Sequence, residues 1–168
     1  MCGRVEKGAV GHVSSYQGRK AKRTKYGKVW FRSRLESRWA EWFDQQDIPW
    51  KYEPTSFGID TARHYTPDFA IQVPEIGAVL CEVKPTWKQA VEDARLQRLA
   101  QIIGNPCLAL SGDPLFTVHP GGKKYEVQFV EVFLITPQGV EAIWNPGFGK
   151  LIVWLHFLNQ TGLLGDRD

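Results

Sequence analysis

The sequence lacks an apolar run long enough to cross a membrane. Its longest apolar stretch, Leu151 to Leu158, is interrupted by His156 and is far shorter than the roughly 20 residues that a spanning helix needs. The first residues also lack the apolar core of a secretory signal, because Arg4, Glu6 and Lys7 stand among glycines. We therefore expect a cytoplasmic protein with no membrane partner.

Cysteine is scarce as well. Cys2, Cys81 and Cys107 cannot all pair, and their spacing matches neither a disulfide framework nor a zinc site. This excludes a small secreted domain held together by disulfides. Hydrophobic residues make up 43% and charged residues 23% of the 168 positions, so we expect a globular domain able to bury a sizeable core.

Acidic residues are almost absent from the first 38 positions, where Glu6 and Glu36 stand against eleven Lys or Arg and leave a net charge of +9. The other 130 positions carry −6, so the overall charge of +3 conceals a basic segment ahead of an acidic body. Residues 1–28 are rich in Gly, Ser and basic residues without apolar periodicity, which predicts a flexible arm before a single domain at 29–168. Such an arm is typical of a solvated tail or of a segment that meets an anionic partner.

Apolar periodicity predicts an α/β sandwich with a mixed central sheet. A helix is expected over residues 33–46, beginning at the capping pattern formed by Ser33 and Glu36. Trp39 and Trp42 fall on its apolar stripe and are interpreted as core. The expected strands cover residues 50–53, 56–60, 65–73, 78–84, 107–110 and 125–135, and the further helices cover residues 86–103 and 151–159.

Two segments carry the strongest chemical signal, Tyr65-Thr66-Pro67-Asp68-Phe69 and Cys81-Glu82-Val83-Lys84. Side chains alternate across a strand, so Glu82 and Lys84 share one face. The short turn between the two predicted strands implies that they pair, which would bring Asp68 over that same face. Two carboxylates are the ligands that Mg²⁺ takes from proteins when it also binds phosphate, and a nearby ammonium lets both stay ionised.

These segments resemble the motif of the PD-(D/E)xK nuclease superfamily, with Pro67-Asp68 as its first half and Glu82-Val83-Lys84 as its second. The resemblance covers about residues 30–112. It implies the restriction-endonuclease-like αβββαβ core, in which helices flank a mixed central sheet. It also implies a metal-dependent DNA endonuclease that hydrolyses phosphodiester bonds.

The resemblance implies a set of site residues. Asp68, Glu82 and Lys84 would be catalytic, and Glu36 matches an acidic position on the first helix of many members. Asp68, Glu82 and Glu36 would then hold Mg²⁺, for which Mn²⁺ would substitute. Glu36 is equally explained by helix capping, and Glu53 is an alternative ligand or supporting group.

The sequence around the motif is similar to those of TnsA-type transposon endonucleases and phage endonucleases, including junction-resolving enzymes. This similarity implies a phage or mobile-element protein that acts on DNA in a bacterial or phage-infected cell. It also implies a homodimer if the protein cuts both strands. A separate partner subunit stays open. The preferred DNA structure also stays open. The candidate DNA-binding residues are Arg19, Lys20, Lys22, Arg23, Lys25, Lys28, Arg32, Arg34 and Lys88.

Two other interpretations stay open. One is a non-catalytic DNA-binding or assembly protein that retains the nuclease fold. The other rests on Met1-Cys2-Gly3-Arg4, which is similar to the start of SRAP proteins, whose N-terminal cysteine links to abasic DNA, although no other segment matches them. Arg95 and Arg98 are assigned to a solvated helix face, while Trp30, Trp87 and Trp144 stay open as core residues or as stacking platforms for unpaired bases.

Overall fold

The computed structural model describes residues 21–115 and 130–165. Helices and strands alternate around one mixed sheet. The strands of the described residues are β1 (Thr24–Tyr26), β2 (Val29–Phe31), β3 (Trp50–Tyr52), β4 (Phe57–Gly58), β5 (His64–Tyr65), β6 (Phe69–Val73), β7 (Gly77–Lys84), β8 (Cys107–Ser111), β9 (Glu131–Thr136) and β10 (Gly139–Trp144). The helices are α1 (Arg34–Gln45), α2 (Trp87–Val91), α3 (Ala94–Ile103) and α4 (Leu151–Gln160), with a short 3₁₀ turn at Pro146–Phe148.

Within the described residues, the central sheet has six strands in the order β10-β9-β8-β7-β6-β3. Strands β7 and β8 are parallel, and every other neighbouring pair in this sheet is antiparallel. Helices α1 and α4 contribute to the apolar cluster on one face, whereas α2 and α3 contribute to the cluster on the other. The expected α/β fold with a mixed central sheet is confirmed.

Helix α1 forms where the capping pattern predicts it. The Ser33 hydroxyl accepts a hydrogen bond from the backbone N–H of Glu36, and the apolar stripe of the helix is buried. Trp39 is fully buried and Trp42 packs against the same core, which confirms that both are core residues. The Trp39 indole N–H also donates to the Gly112 carbonyl over 3.0 Å, which fixes α1 to the end of β8.

The boundary expected after residue 28, between a flexible arm and the domain, is wrong for Thr24–Tyr26. Strands β1 and β2 form an antiparallel hairpin whose turn lies at residues 27–28, so ordered structure includes Thr24–Tyr26. Tyr26 packs against the main core, and its hydroxyl donates to Asp44 on α1 over 2.8 Å. Residues 1–20 of the expected arm, with Cys2, lie outside the described residues.

The strand expected over residues 65–73 is interrupted at Pro67 and Asp68. Proline has no N–H to donate to a ladder, so β5 ends before it and β6 begins after Asp68. The Asp68 carbonyl instead accepts from the Glu53 N–H over 2.8 Å. This irregular segment sets the Asp68 side chain at the end of β6.

The helix expected over residues 86–103 is two helices. Asp93 leaves the helical path and caps α3 by accepting from the Arg95 N–H over 3.0 Å, because aspartate favours a cap over a helix interior. Gly104 ends α3 in the left-handed conformation, as expected for a glycine stop.

The C-terminal region adds one strand that the sequence analysis did not assign. Strand β10 pairs with β9 and contains a bulge between Val140 and Ala142, which interrupts its alternation. The part of the expected 125–135 strand that the structure describes is within β9, and the helix expected over 151–159 is α4. None of the helices in the described ranges is long and apolar enough to span a bilayer.

Candidate active site

Asp68 and Glu82 lie on neighbouring strands at one end of the central sheet. Phe69 at the start of β6 pairs with Cys81 on β7, so the residues that flank this pair, Asp68 and Glu82, share one face. Both carboxylates are buried, with Asp68 3% and Glu82 6% exposed. The Asp68 Oδ2 atom accepts a 2.8 Å hydrogen bond from the backbone N–H of Val83, which fixes one carboxylate against the other strand.

Glu82 has one occupied and one free carboxylate oxygen. Its Oε1 atom accepts from Lys84 Nζ over 3.0 Å. Its Oε2 atom and the hydroxyl of Tyr65 are both buried, and neither meets the geometry of a hydrogen bond within the described residues, although the two groups interact closely enough for Glu82 to raise the pKa of Tyr65. A buried polar atom without a partner is costly, and in a native fold it is expected to meet a ligand, an ion or water.

Lys84 is held between two carboxylates. Its Nζ atom lies 3.0 Å from Glu82 Oε1 and 2.8 Å from Asp93 Oδ2. Burial lowers the pKa of Lys84, but the hydrogen bond that Lys84 donates to Asp93 and the charge of Glu82 outweigh it, and the pKa lies above its usual value. Lys84 is therefore a charged ammonium in this arrangement, which fits charge stabilisation better than general-base chemistry.

Arg95 completes this side of the site. Its Nη2 atom lies 3.1 Å from Asp93 Oδ2 and 3.9 Å from Glu82 Oε1, and its guanidinium stands 5.2 Å from the centroid of the Tyr65 ring. Arg95 is exposed, as expected of a residue on a solvated helix face, and the capping turn at Asp93 also brings its guanidinium within 3.9 Å of Glu82.

Arg32 lies on the other side of Asp68. Its Nη2 atom donates to Asp68 Oδ1 over 2.7 Å, and its Nε atom lies 3.0 Å from Glu53 Oε1. Glu53 adopts a left-handed backbone conformation with φ of 45°, which is unusual for a residue with a side chain. The structure thus places Glu53 beside the site, with its carboxylate joined to Asp68 through Arg32.

Glu36 reaches the same region from the first turn of α1. Its Oε2 atom accepts from the Tyr52 hydroxyl over 2.6 Å and from the Arg32 N–H over 3.2 Å. Its Oε1 atom accepts from the Ser33 hydroxyl over 2.9 Å. Both carboxylate oxygens of Glu36 are therefore engaged, and the capping explanation accounts for part of this geometry.

Burial and like charge act together on Asp68. Burial raises the pKa of Asp68 to about 7, and the charges of Glu82 and Glu36 add to this effect. The Val83 N–H and the Arg32 guanidinium oppose it. The carboxylates thus repel one another in the arrangement seen here, and a further positive charge between Asp68 and Glu82 would relieve that repulsion.

The expected ligand set is only partly assembled. Within residues 21–115 and 130–165, no three His, Cys, Asp or Glu side chains are arranged to hold a metal ion together. Arg32 occupies one oxygen of Asp68, and Glu36 is tied to its own neighbours. The free Oε2 atom of Glu82 beside Asp68 nevertheless provides the hard oxygen donors that fit a divalent cation.

The candidate DNA-binding residues do not form one group. Arg32 is part of the site rather than of a separate surface. Arg19 and Lys20 lie outside the described residues. The remaining candidates are all exposed: Lys22, Arg23, Lys25 and Lys28 on or beside the β1–β2 hairpin, Arg34 at the start of α1, and Lys88 on α2.

Sequence reasoning missed four groups that the fold brings to the site: Tyr52, Tyr65, Asp93 and Arg95. Asp93 had a usable signal, since an aspartate in this position before a new apolar run is a helix start. The tyrosines had none, because a tyrosine on a strand is typical of a core residue.

Comparison of the chain with protein-family models, curated proteins and solved structures gives no match.

Proposed function

We propose that this chain is a metal-dependent DNA endonuclease in which Asp68 and Glu82 hold a divalent cation and Lys84 supplies a positive charge to the reacting phosphate. The observation that carries the proposal is the buried, unpartnered Oε2 atom of Glu82 beside the buried carboxylate of Asp68. Burying carboxylates is costly even where, as here, Arg32 and Lys84 partner them, and function is the simplest reason to retain two of them side by side. The resemblance of both segments to the PD-(D/E)xK motif supports the same proposal.

Mg²⁺ fits the donor set, with Mn²⁺ as its substitute, because both carboxylates are hard oxygen ligands. When bound, such a cation supplies charge for the scissile phosphate and acidifies water. Asp68 keeps its orientation through the Val83 N–H, and Glu82 through Lys84. The two strands would thus hold both carboxylates in position without a cation, which would reduce the cost of organising the site.

Lys84 would act on the phosphate through its charge. Its ammonium is held by Glu82 and Asp93, so it has a fixed position and a fixed protonation state. A fixed positive charge in a partly buried site stabilises the charge that develops on phosphate oxygens during hydrolysis. Asp93 would then be a positioning residue for Lys84, and Arg95 would add positive charge at the same edge.

Glu36 as a metal ligand stays a prediction. In the present arrangement it orients Tyr52 and the backbone of Arg32, and a ligand role would require one of its oxygens to leave these partners. The restriction-endonuclease-like αβββαβ core, the DNA substrate, a homodimer and a phage or mobile-element origin likewise belong to this proposal. The mixed sheet with parallel β7 and β8 is compatible with such a core.

Cleavage of a matched substrate panel tests the proposal. The panel contains supercoiled plasmid, linear duplex, single strand, flap and four-way junction, each with Mg²⁺, with Mn²⁺ and with EDTA. We expect cutting with either metal, none with EDTA, and none by Glu82→Gln, while Glu75→Gln, which alters an exposed glutamate outside the site, cuts like the wild type. Cutting by Glu82→Gln at the wild-type rate would exclude the proposal.

One observation favours a second candidate, a non-catalytic DNA-binding protein. The Arg32 guanidinium already neutralises Asp68, as expected of a site that no longer uses a metal. This candidate predicts no cutting in any lane of the panel and no change in melting temperature when Mg²⁺ or Mn²⁺ is added. A cysteine-based covalent binder, by contrast, would link to abasic DNA in EDTA and lose that activity in Cys2→Ala.

A further inference from the structure

The β1–β2 hairpin has one buried face and one exposed face. Tyr26, Val29 and Phe31 point inward and pack on the main core, with Phe31 fully buried. The alternate positions point outward, and there Lys25 lies directly opposite Trp30 in the antiparallel pairing. The hairpin is thus anchored by one face and free to present the other.

The outward face combines an aromatic ring with two cations. The Trp30 side chain is 54% exposed. Arg23 and Lys25 lie over the Trp30 ring, 5.7 Å and 6.0 Å from its centroid, so a base that stacks on the indole takes the place of one of these cation contacts. We call the outward side chains Arg23, Lys25 and Trp30 the hairpin platform. Anchoring the hairpin requires none of the three, because the inward face supplies the packing.

The hairpin platform is adjacent in the chain to the candidate active site. Arg32 follows Trp30 by two residues, and its guanidinium binds Asp68 over 2.7 Å. Its backbone N–H is held by Glu36 and by the Tyr52 hydroxyl. The last residue of the hairpin platform thus stands two positions in the chain before the arginine that contacts Asp68.

We propose that the hairpin platform binds a single-stranded segment of DNA, with an unpaired base stacked on Trp30 and phosphates contacted by Arg23 and Lys25. Lysine and arginine alone would suffice for the backbone of a duplex, whose bases already stack on one another. An exposed indole flanked by cations adds a surface on which an unpaired base can stack. This inference rests on the proposed function and names its substrate class, DNA with unpaired bases such as a branch, flap or junction.

Binding in EDTA tests the platform without any cutting. Fluorescence anisotropy is measured with a labelled oligodeoxythymidine and with a blunt duplex of matched length, as a function of salt. We expect Trp30→Ala to weaken single-strand binding about 10-fold or more, because stacking of a base is lost, and to change duplex binding less than about twofold. Trp30→Phe should retain most of the affinity for the single strand.

Two matched variants separate stacking from charge and from general exposure. Phe157→Ala removes an aromatic side chain of similar exposure, 59%, on α4, and should bind both DNAs like the wild type. Arg23→Gln with Lys25→Gln should weaken both DNAs and reduce the slope of log affinity against log salt by about 0.7 for each lost single-strand phosphate contact. Trp30→Ala should leave that slope unchanged.

The outcomes separate this inference from the proposed function. Equal single-strand binding by the wild type and Trp30→Ala, or an equal loss on single strand and duplex, would overturn the platform whether or not the protein cuts DNA. A wild type that binds neither DNA would overturn it as well. Selective loss in Trp30→Ala together with no cutting under any metal condition would retain the platform and exclude the nuclease. Melting curves of each variant would show that the fold is intact.

Discussion

The Nη2 atom of Arg32 lies 2.7 Å from Oδ1 of Asp68, so a cation of the chain itself already sits on one of the two buried carboxylates. The same guanidinium contacts Glu53, and the two pairs hold Arg32 across the open side of the site. A divalent cation that uses Asp68 Oδ1 must displace this contact. Under the proposed function, Arg32 would therefore compete with the metal for Asp68, and once displaced it would be available to a phosphate.

Arg32→Ala should tighten Mn²⁺ binding. The variant removes the guanidinium that would compete with the metal for Asp68, and with it one positive charge near the proposed ligands. Since the Arg32 side chain is more than half exposed, solvent weakens the pair, and we expect a gain of roughly 3- to 10-fold in affinity by calorimetry. Arg34→Ala, which removes an exposed arginine at the start of α1, is the control and should bind Mn²⁺ like the wild type. Weaker Mn²⁺ binding by Arg32→Ala would contradict the competition.

Asp68→Asn should stabilise the metal-free protein above neutral pH. Because the pKa of Asp68 is raised from 3.8 to about 7, the folded protein binds this proton more tightly than the unfolded chain. The stability of the wild type should therefore fall as pH rises from about 4 through 7. At pH 8 we expect the variant to melt higher, by on the order of 5 °C, in EDTA.

Asp60 is the control, because its pKa is shifted in the opposite direction from that of Asp68. The N–H of Ala62 and the side chain of Arg63 lower the pKa of the exposed Asp60, so Asp60→Asn should not raise the melting temperature. Addition of Mg²⁺ should stabilise the wild type and leave Asp68→Asn unchanged. An Asp68→Asn protein that melts below the wild type at pH 8 in EDTA would show that repulsion at the site is absent.

Lys84→Ala should separate cutting from metal binding. The ammonium lies between Glu82 and Asp93, where it is a fixed charge rather than a ligand. Loss of one such group in a preorganised site lowers turnover by about 100-fold or more, whereas Mn²⁺ affinity should stay within a few-fold. Lys150→Ala, at an exposed position directly before α4, is the matched control for loss of a lysine. Full activity in Lys84→Ala would remove Lys84 from the reaction.

Asp93 allows its two roles to be separated, since it both caps α3 and holds Lys84. Asparagine retains the cap but loses the charge, whereas alanine loses both. We expect Asp93→Asn to melt near the wild type with reduced kcat and unchanged KM, because Lys84 loses its second partner. Asp93→Ala should in addition lose about 1 kcal/mol of stability from the missing cap. Equal kcat in Asp93→Asn and the wild type would limit Asp93 to capping.

The sequence predicts the parts of this molecule that depend on local patterns. The helix cap at Ser33, the apolar stripe through Trp39 and the alternation that puts Glu82 and Lys84 on one face follow from spacing, and the structure has all three. Pairing of the strands that carry Asp68 and Glu82 follows from the short turn between them. These features place the two carboxylates correctly.

Contacts between segments distant in the chain could not be predicted in this way. Arg32 meets Asp68 across 36 positions, and nothing in the sequence distinguishes it from the exposed basic residues around it. The break at Asp93 had a local capping signal, but the apolar periodicity that continues across it concealed the signal. The ordered hairpin was missed because its inward residues are too few to show a period.

Calorimetric titration of Mn²⁺ into the wild type and into Glu82→Gln tests whether the Oε2 atom of Glu82 and the carboxylate of Asp68 together hold a divalent cation. Glu75→Gln, at an exposed position in the turn before β7, is the control. We expect saturable Mn²⁺ binding by the wild type and by Glu75→Gln. Glu82→Gln should lose at least about 10-fold in affinity for Mn²⁺. Equal binding by all three proteins, or no binding by the wild type, would contradict the proposed metal site.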